Sequence, residues 1–160
     1  MNIEKVEPWL SAWRDLVRSH TAVTGAIERS LEEAELPATW IEVLLRLNRT
    51  PDGSMRMQEL AAQLIFSRSG ATRLVDRMED AGLVRRESCD TDRRGTFAVI
   101  TEAGREAAMR GYPDLLDAAR HHFADFLTEE DVEDLRRVCG KLLAAYGLAE
   151  GEPVGTPRRV

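Results

Sequence analysis

The sequence predicts a mainly α protein of the α+β class, with long flanking helices around a compact middle of helix, helix and hairpin. Three observations carry this. Apolar residues recur at steps of three and four over most of the chain, the mark of amphipathic helices. That spacing gives way to strand-like segments only between residues 83 and 100. No apolar run approaches the roughly 20 residues of a membrane span, and the stretch MNIEKVEPWLSAWRDLV, acidic and interrupted, does not read as a signal peptide.

The first segment repeats Trp9, Trp13, Leu16, Val17, His20, Val23, Ile27 and Leu31, which predicts an amphipathic helix over about residues 7–34. Pro37 is expected just inside a second helix, where its missing N–H costs nothing. This helix carries Ile41, Leu44, Leu45 and Leu47 and ends before the turn Pro51-Asp52-Gly53. A short helix over about 57–64 turns Leu60, Ala61 and Leu64 inward. Ser67 reads as the N-cap of a fourth helix that runs to about Ala81, with Gly82 as its left-handed stop. Leu83–Glu87 and Phe97–Ile100 read as short strands bracketing a polar loop, residues 88–96. Thr101 begins a long helix, apolar at Ala108, Tyr112, Leu115, Leu116, Ala119, Phe123 and Phe126 and bent near Pro113. Thr128 and Asp131 resemble a capping box for a last helix with Val132, Leu135, Val138 and Leu142, closed by Gly147. The Gly/Pro-rich tail, residues 151–160, is expected to be disordered.

At 160 residues the chain fits one domain, over 1–150, whose core needs neither disulfides nor a metal. The formal charge is −6, from 22 basic and 28 acidic residues, which on average repels nucleic acid. Yet 20 of the basic residues are Arg and two are Lys, and Arg forks onto phosphates and guanine edges. Their distribution therefore matters more than the total. Cys89 and Cys139 make no disulfide framework and no C-x-x-C pair, which points to a reduced, cytoplasmic compartment.

On a helical wheel, Ala71, Leu74, Val75 and Met78 form the buried stripe of the fourth helix. Arg68, Ser69, Thr72 and Arg73 lie opposite, followed by Asp76, Glu79 and Asp80. A basic, hydroxylic N-terminal half suits a helix that enters a DNA groove by its first turns. An ordinary solvated face of mixed charge fits the same pattern. The hairpin that follows carries Asp90, Asp92, Arg93 and Arg94 at its tip, and paired arginines on a thin finger suit the narrow minor groove. A polar surface loop is the alternative.

The runs RMQELAAQLIFSRSGATRLVDRMEDAGLVRRE and DTDRRGTFAVITEAG resemble the winged helix-turn-helix of the MarR family of bacterial regulators. The wing signature stands as Asp92-Arg93-Arg94 followed by Ile100-Thr101, with Ile100 where the family most often has Leu and with Gly95 at the wing exit. The order of flanking elements extends the resemblance over about residues 7–147. It implies a homodimeric, sequence-specific DNA-binding repressor, with a winged helix-turn-helix lobe over 37–100 and dimerisation helices over 7–34 and 102–147. Base-edge contacts carry onto Ser67, Arg68, Ser69, Thr72 and Arg73 of the recognition helix. The wing-tip arginine carries onto Arg94, flanked by Arg93 and braced by Asp92. Two recognition helices on a two-fold axis read a pseudopalindrome with half-sites roughly 34–36 Å apart.

Residues 56–94 hold eight Arg and seven acidic residues, a net of +1, so the acidic character lies outside the proposed lobe. Double-stranded DNA thus remains the expected partner, gripped by a few placed arginines. The resemblance also implies release from DNA by a small aromatic or phenolic acid, as in many relatives. Trp9, Trp13, His20 and Trp40 are candidates to line such a pocket, with Arg14 or Arg18 pairing a carboxylate. The alternative is that the tryptophans are dimer-interface core. Cys89, near Arg85, Arg86 and Arg93, offers a thiol-sensing alternative to ligand release. No metal is expected, because His121 and His122 diverge on their helix and His20 is the only other histidine. No nucleophile triad, phosphate loop or dinucleotide motif appears, so no cofactor and no enzymatic activity are expected. A helical protein–protein adaptor that keeps the fold with little DNA affinity is the rival from another class.

Overall fold

The computed structural model describes residues 7–64, 67–89 and 92–148, with Arg68, Cys89 and residues 92–95 described through their backbone alone. The chain runs α1 (Pro8–Ser30), α2 (Ala38–Arg49), β1 (Ser54–Arg56), α3 (Met57–Gln63), α4 (Arg68–Asp80), β2 (Val84–Cys89), β3 (Asp92–Ile100), α5 (Glu102–His122) and α6 (Glu129–Ala145). A 3₁₀ turn, Ala124–Phe126, joins the last two helices. The predicted class therefore holds, with one strand more than expected. β1 pairs with β3, giving a three-stranded antiparallel sheet in the order β1-β3-β2.

The core lies in the middle of the chain. Ile41, Val43, Leu44 and Leu47 of α2 are buried with Leu60 of α3 and with Leu74, Val75 and Met78 of α4. Met55, Val84, Ala98 and Ile100 close the layer from the sheet. The predicted inward stripe of α4 is thus the observed one, Ala71 included. α5 meets this core with small residues, Ala107, Ala108 and Gly111, so α2 can approach closely: a methyl placed on Gly111 would stand 2.8 Å from Cδ1 of Ile41. Close packing of this kind leaves no slack for added volume.

Several boundaries differ from the sequence expectation. α1 ends at Ser30 rather than near residue 34, because Leu31 and Leu36 turn into the core and bring the chain round to α2. Pro37 is the N-cap of α2, one residue earlier than expected. The hairpin strands consume most of the predicted polar loop, leaving only residues 90 and 91 between them, and those two lie outside the described residues. α5 continues through Pro113, and Phe126 falls in the 3₁₀ turn beyond it. Tyr112, Leu116, Phe123 and Phe126, expected as the apolar stripe of α5, are exposed, while the buried positions include Ala107, Gly111 and Ala118. The predicted disordered tail, 151–160, lies outside the described residues.

The predicted caps form. Thr101 caps α5, accepting the Gly104 amide at 3.0 Å. At α6 the Thr128 hydroxyl accepts the Asp131 amide at 3.2 Å while the Asp131 carboxylate accepts the Thr128 amide at 2.9 Å, a complete capping box. Gly82 stops α4 at φ 74°, a conformation that an added Cβ disfavours. Within the chain α1 and α6 bury no residue. Trp9 is 63% exposed and Trp13 57%, and Leu135, Val138 and Leu142 lie open on α6.

Candidate nucleic-acid interface

The first turn of α4 is organised by hydroxyls. Ser67 caps the helix by accepting the Gly70 amide at 3.1 Å, and its Oγ lies 3.2 Å from that of Ser69. Burial of Ala71, Leu74 and Val75 turns Ser69, Thr72 and Arg73 out to solvent. Arg73 and Arg77, one helical turn apart, have no side-chain partner among the described residues. A solvent-exposed edge of hydroxyls and guanidinium groups on a rigid helix is what base edges and phosphates require of a protein.

The acidic half of α4 differs from expectation. Asp76 and Glu79 do not lie on a free solvated face; they are half-buried and turned toward β2, where Arg86 meets both. Its Nη1 pairs with the Asp76 carboxylate, and its Nη2 donates to the Thr72 carbonyl at 2.9 Å. The backbone amide of Arg86 donates to Glu79 at 2.7 Å. Only Asp80 stays exposed beyond them. Helical spacing does not show this network, because the partners are 7 to 14 residues apart in sequence and belong to different elements.

β2 and β3 form the hairpin. Val84 pairs with Ile100, Arg86 with Ala98 and Ser88 with Thr96, and an irregularity follows between Ser88 and Cys89. Asp92, Arg93 and Arg94 open β3, so the predicted wing arginines stand on strand rather than loop, and Cys89 ends β2. On the face of the sheet turned away from the core, Arg56 lies over the Phe97 ring of its strand partner, with Cζ 5.2 Å from the centroid. Thr101 closes the hairpin base by donating to the carbonyls of Gly82, at 2.7 Å, and Leu83, at 3.0 Å.

A family model described as the MarR family matches residues 34–95, the span from the link between α1 and α2 to the hairpin. The structure of AbsC, a MarR family transcriptional regulator from Streptomyces coelicolor, is 35% identical. It covers 84% of this chain and 91% of that one, with a TM-score of 0.74. The chain belongs to the MarR family. Sco3205, a second MarR family regulator from Streptomyces coelicolor, solved in complex with DNA, is 30% identical over 92% of each chain with a TM-score of 0.75. The transcriptional repressor MprA of Escherichia coli K12 is 27% identical over 79% of this chain and 71% of its own. As a MarR family member the chain is a DNA-binding transcriptional regulator and not an enzyme.

The candidate effector residues are less assembled. Trp13, Arg14 and His20 are exposed on α1, whereas Trp40 is half-buried on α2 against the core. The main packing partner of α1 within the chain is α5. Cys139 is half-buried on α6 with a free thiol. Among the described residues no cluster of three or more His, Cys, Asp or Glu is placed to hold a metal ion. No described helix is long and apolar enough to cross a membrane.

Proposed function

We propose that this MarR family regulator is a homodimeric repressor that binds a pseudopalindromic operator and is released by a small aromatic acid. One observation carries the reading: α1 and α6, 23 and 17 residues long, have no fully buried residue within the chain yet present Trp9, Trp13, Leu16, Val17, Leu135, Val138 and Leu142 to solvent. Apolar surface of that extent calls for a partner. A second copy of the same helices supplies it and sets two α4 helices on a two-fold axis.

In this reading Arg68, Ser69, Thr72 and Arg73 meet base edges and phosphates in the major groove, with Ser67 fixing the helix start. Arg94 enters the minor groove, held by Asp92, with Arg93 beside the backbone. Residues 37–100 form the reading lobe of a single domain over 1–150, and the flanking helices form its assembly scaffold. The likeness to a named repressor, MprA, supports the sign of regulation. An effector with an aromatic ring and a carboxylate suits Trp13, His20 and Trp40 with Arg14, seated between the scaffold and the lobe. There it changes the separation of the two recognition helices.

The test is selection of bound genomic fragments by the purified protein, followed by titration of the enriched site. The expected result is an inverted repeat bound by two copies, with log affinity falling about 0.9 per log of salt for each phosphate contacted. Arg94→Ala weakens that binding, and an aromatic acid that releases the DNA completes the picture. A flat salt profile, or no enriched sequence, refutes the proposal.

A further inference from the structure

We infer that Arg86 is the positioning residue that fixes the wing relative to the recognition helix. The inference rests on the reading of Arg94 as a wing contact and adds the element that aims it.

Arg86 sits in the middle of β2, opposite Ala98 on β3, between the buried base of the hairpin and its tip. Its side chain is 26% exposed, far less than the 57% of the neighbouring Arg85, whose Nε donates to Glu87 on the same strand at 2.9 Å. Arg85 therefore ties nothing to α4. From Arg86, by contrast, three separate groups reach that helix. Nη1 pairs with Asp76, Nη2 donates to the Thr72 carbonyl, and the backbone amide donates to Glu79. Thr72 and Asp76 are four residues apart, so the Thr72 carbonyl points along the helix toward Asp76 and the planar fork takes the carbonyl and the carboxylate together.

The ladder between β2 and β3 holds the hairpin together by backbone bonds and survives without this side chain. The ladder does not fix how the hairpin leans against α4. That angle decides whether a wing arginine and a recognition helix reach adjacent grooves of one duplex at once. A lysine cannot replace the fork, because one ammonium on a flexible stem does not hold a carbonyl and a carboxylate at once in fixed planar geometry. Arg86 touches no DNA in this scheme. It acts through Arg94.

Two measurements test the inference on the full-length protein, with Arg86→Lys and Asp76→Asn as variants. The first is a double-mutant cycle on operator binding. Arg94→Ala should weaken the parent about tenfold or more and the Arg86→Lys protein about threefold or less, because a wing already misplaced has little left to lose. Equal losses in both backgrounds overturn the inference while leaving the wing contact standing. The second is amide hydrogen exchange without DNA. In both variants, exchange should accelerate along β2 and in the α4 turn around Thr72, with the amides of α2 unchanged. A uniform acceleration across the domain marks Arg86 as ordinary structural support and overturns the inference. If Arg94→Ala leaves the parent's affinity intact, the wing reading itself fails. The exchange pattern still decides whether Arg86 fixes the hairpin, and unchanged protection of β2 refutes that.

Discussion

Gly104→Ala adds one methyl group to the first turn of α5, a position where helices ordinarily welcome alanine. Here a Cβ would stand 2.1 Å from the carbonyl oxygen of Leu83 and 3.0 Å from Cγ1 of Ile100. The obstructing atom is backbone, so no rotamer change relieves the clash and α5 has to retreat. The Leu83 carbonyl is also the acceptor for the Thr101 amide, at 3.1 Å, and the Thr101 hydroxyl, at 3.0 Å. A retreat strains both bonds at about 1 kcal/mol each. Overpacking contributes about 1–3 kcal/mol more, and the better helix propensity of alanine returns at most about 1 kcal/mol. We expect a net loss of about 2–4 kcal/mol and a fall in Tm on the order of 10 °C. Urea melts at matched protein concentration measure it, since assembly makes stability concentration-dependent. Gly82→Ala is the control: the same methyl meets nothing within 4 Å but sits at φ 74°, so its cost is about 1–2 kcal/mol of backbone strain alone. A Gly104→Ala protein within about 0.5 kcal/mol of the parent would falsify the claim that this carbonyl is a rigid wall.

Three further outcomes are expected. Leu60→Ala, at a fully buried side chain joining α3 to α2 and α4, should cost about 2–5 kcal/mol in urea unfolding; a loss below about 1 kcal/mol would mean the layer collapses freely. Hydrogen bonds from Thr128 hold the Asp131 carboxyl below its ordinary 3.8, so its contribution is present above that value and disappears as pH falls through the lower folded value. Acid titration of helicity in Asp131→Asn should lack this component, and identical profiles for both proteins contradict the assignment. Leu142→Glu, on the open face of α6, should give a folded monomer with weakened operator binding in sedimentation and titration experiments; an unchanged dimer places the interface elsewhere.

Much of this molecule is legible from residue order, because local physics dominates where it was read. The Ser67 cap, the stop at Gly82, the inward stripe of α4 and the Thr128–Asp131 box are each decided within a few residues. β1 is not legible, since three residues running straight into α3 are too few for an alternation to stand out, and the strand rests on the pairing of Ser54, Met55 and Arg56 with Val99, Ala98 and Phe97. The polar hairpin arms were expected as loop for a related reason. Their ladder is held by backbone groups, and side-chain chemistry there reports exposure rather than conformation. Tyr112 and Leu116 follow helical spacing faithfully, but spacing cannot say whether an apolar face is covered by its own chain. The engagement of Asp76 and Glu79 by Arg86 escapes a wheel altogether, as it joins elements that meet only in the folded state.

The bond from the Arg86 amide to Glu79 also bears on how the protein behaves at high concentration. β2 is an edge strand, and an edge offers outward N–H groups to which another chain can add by backbone pairing. At Arg86 that donor is already occupied by a carboxylate from α4, and Arg85 and Glu87 line the flanking positions with charge. The opposite edge, β1, is only three residues long. The sheet thus has an outward donor already engaged at one margin and a short strand at the other, two features that disfavour joining of copies strand to strand.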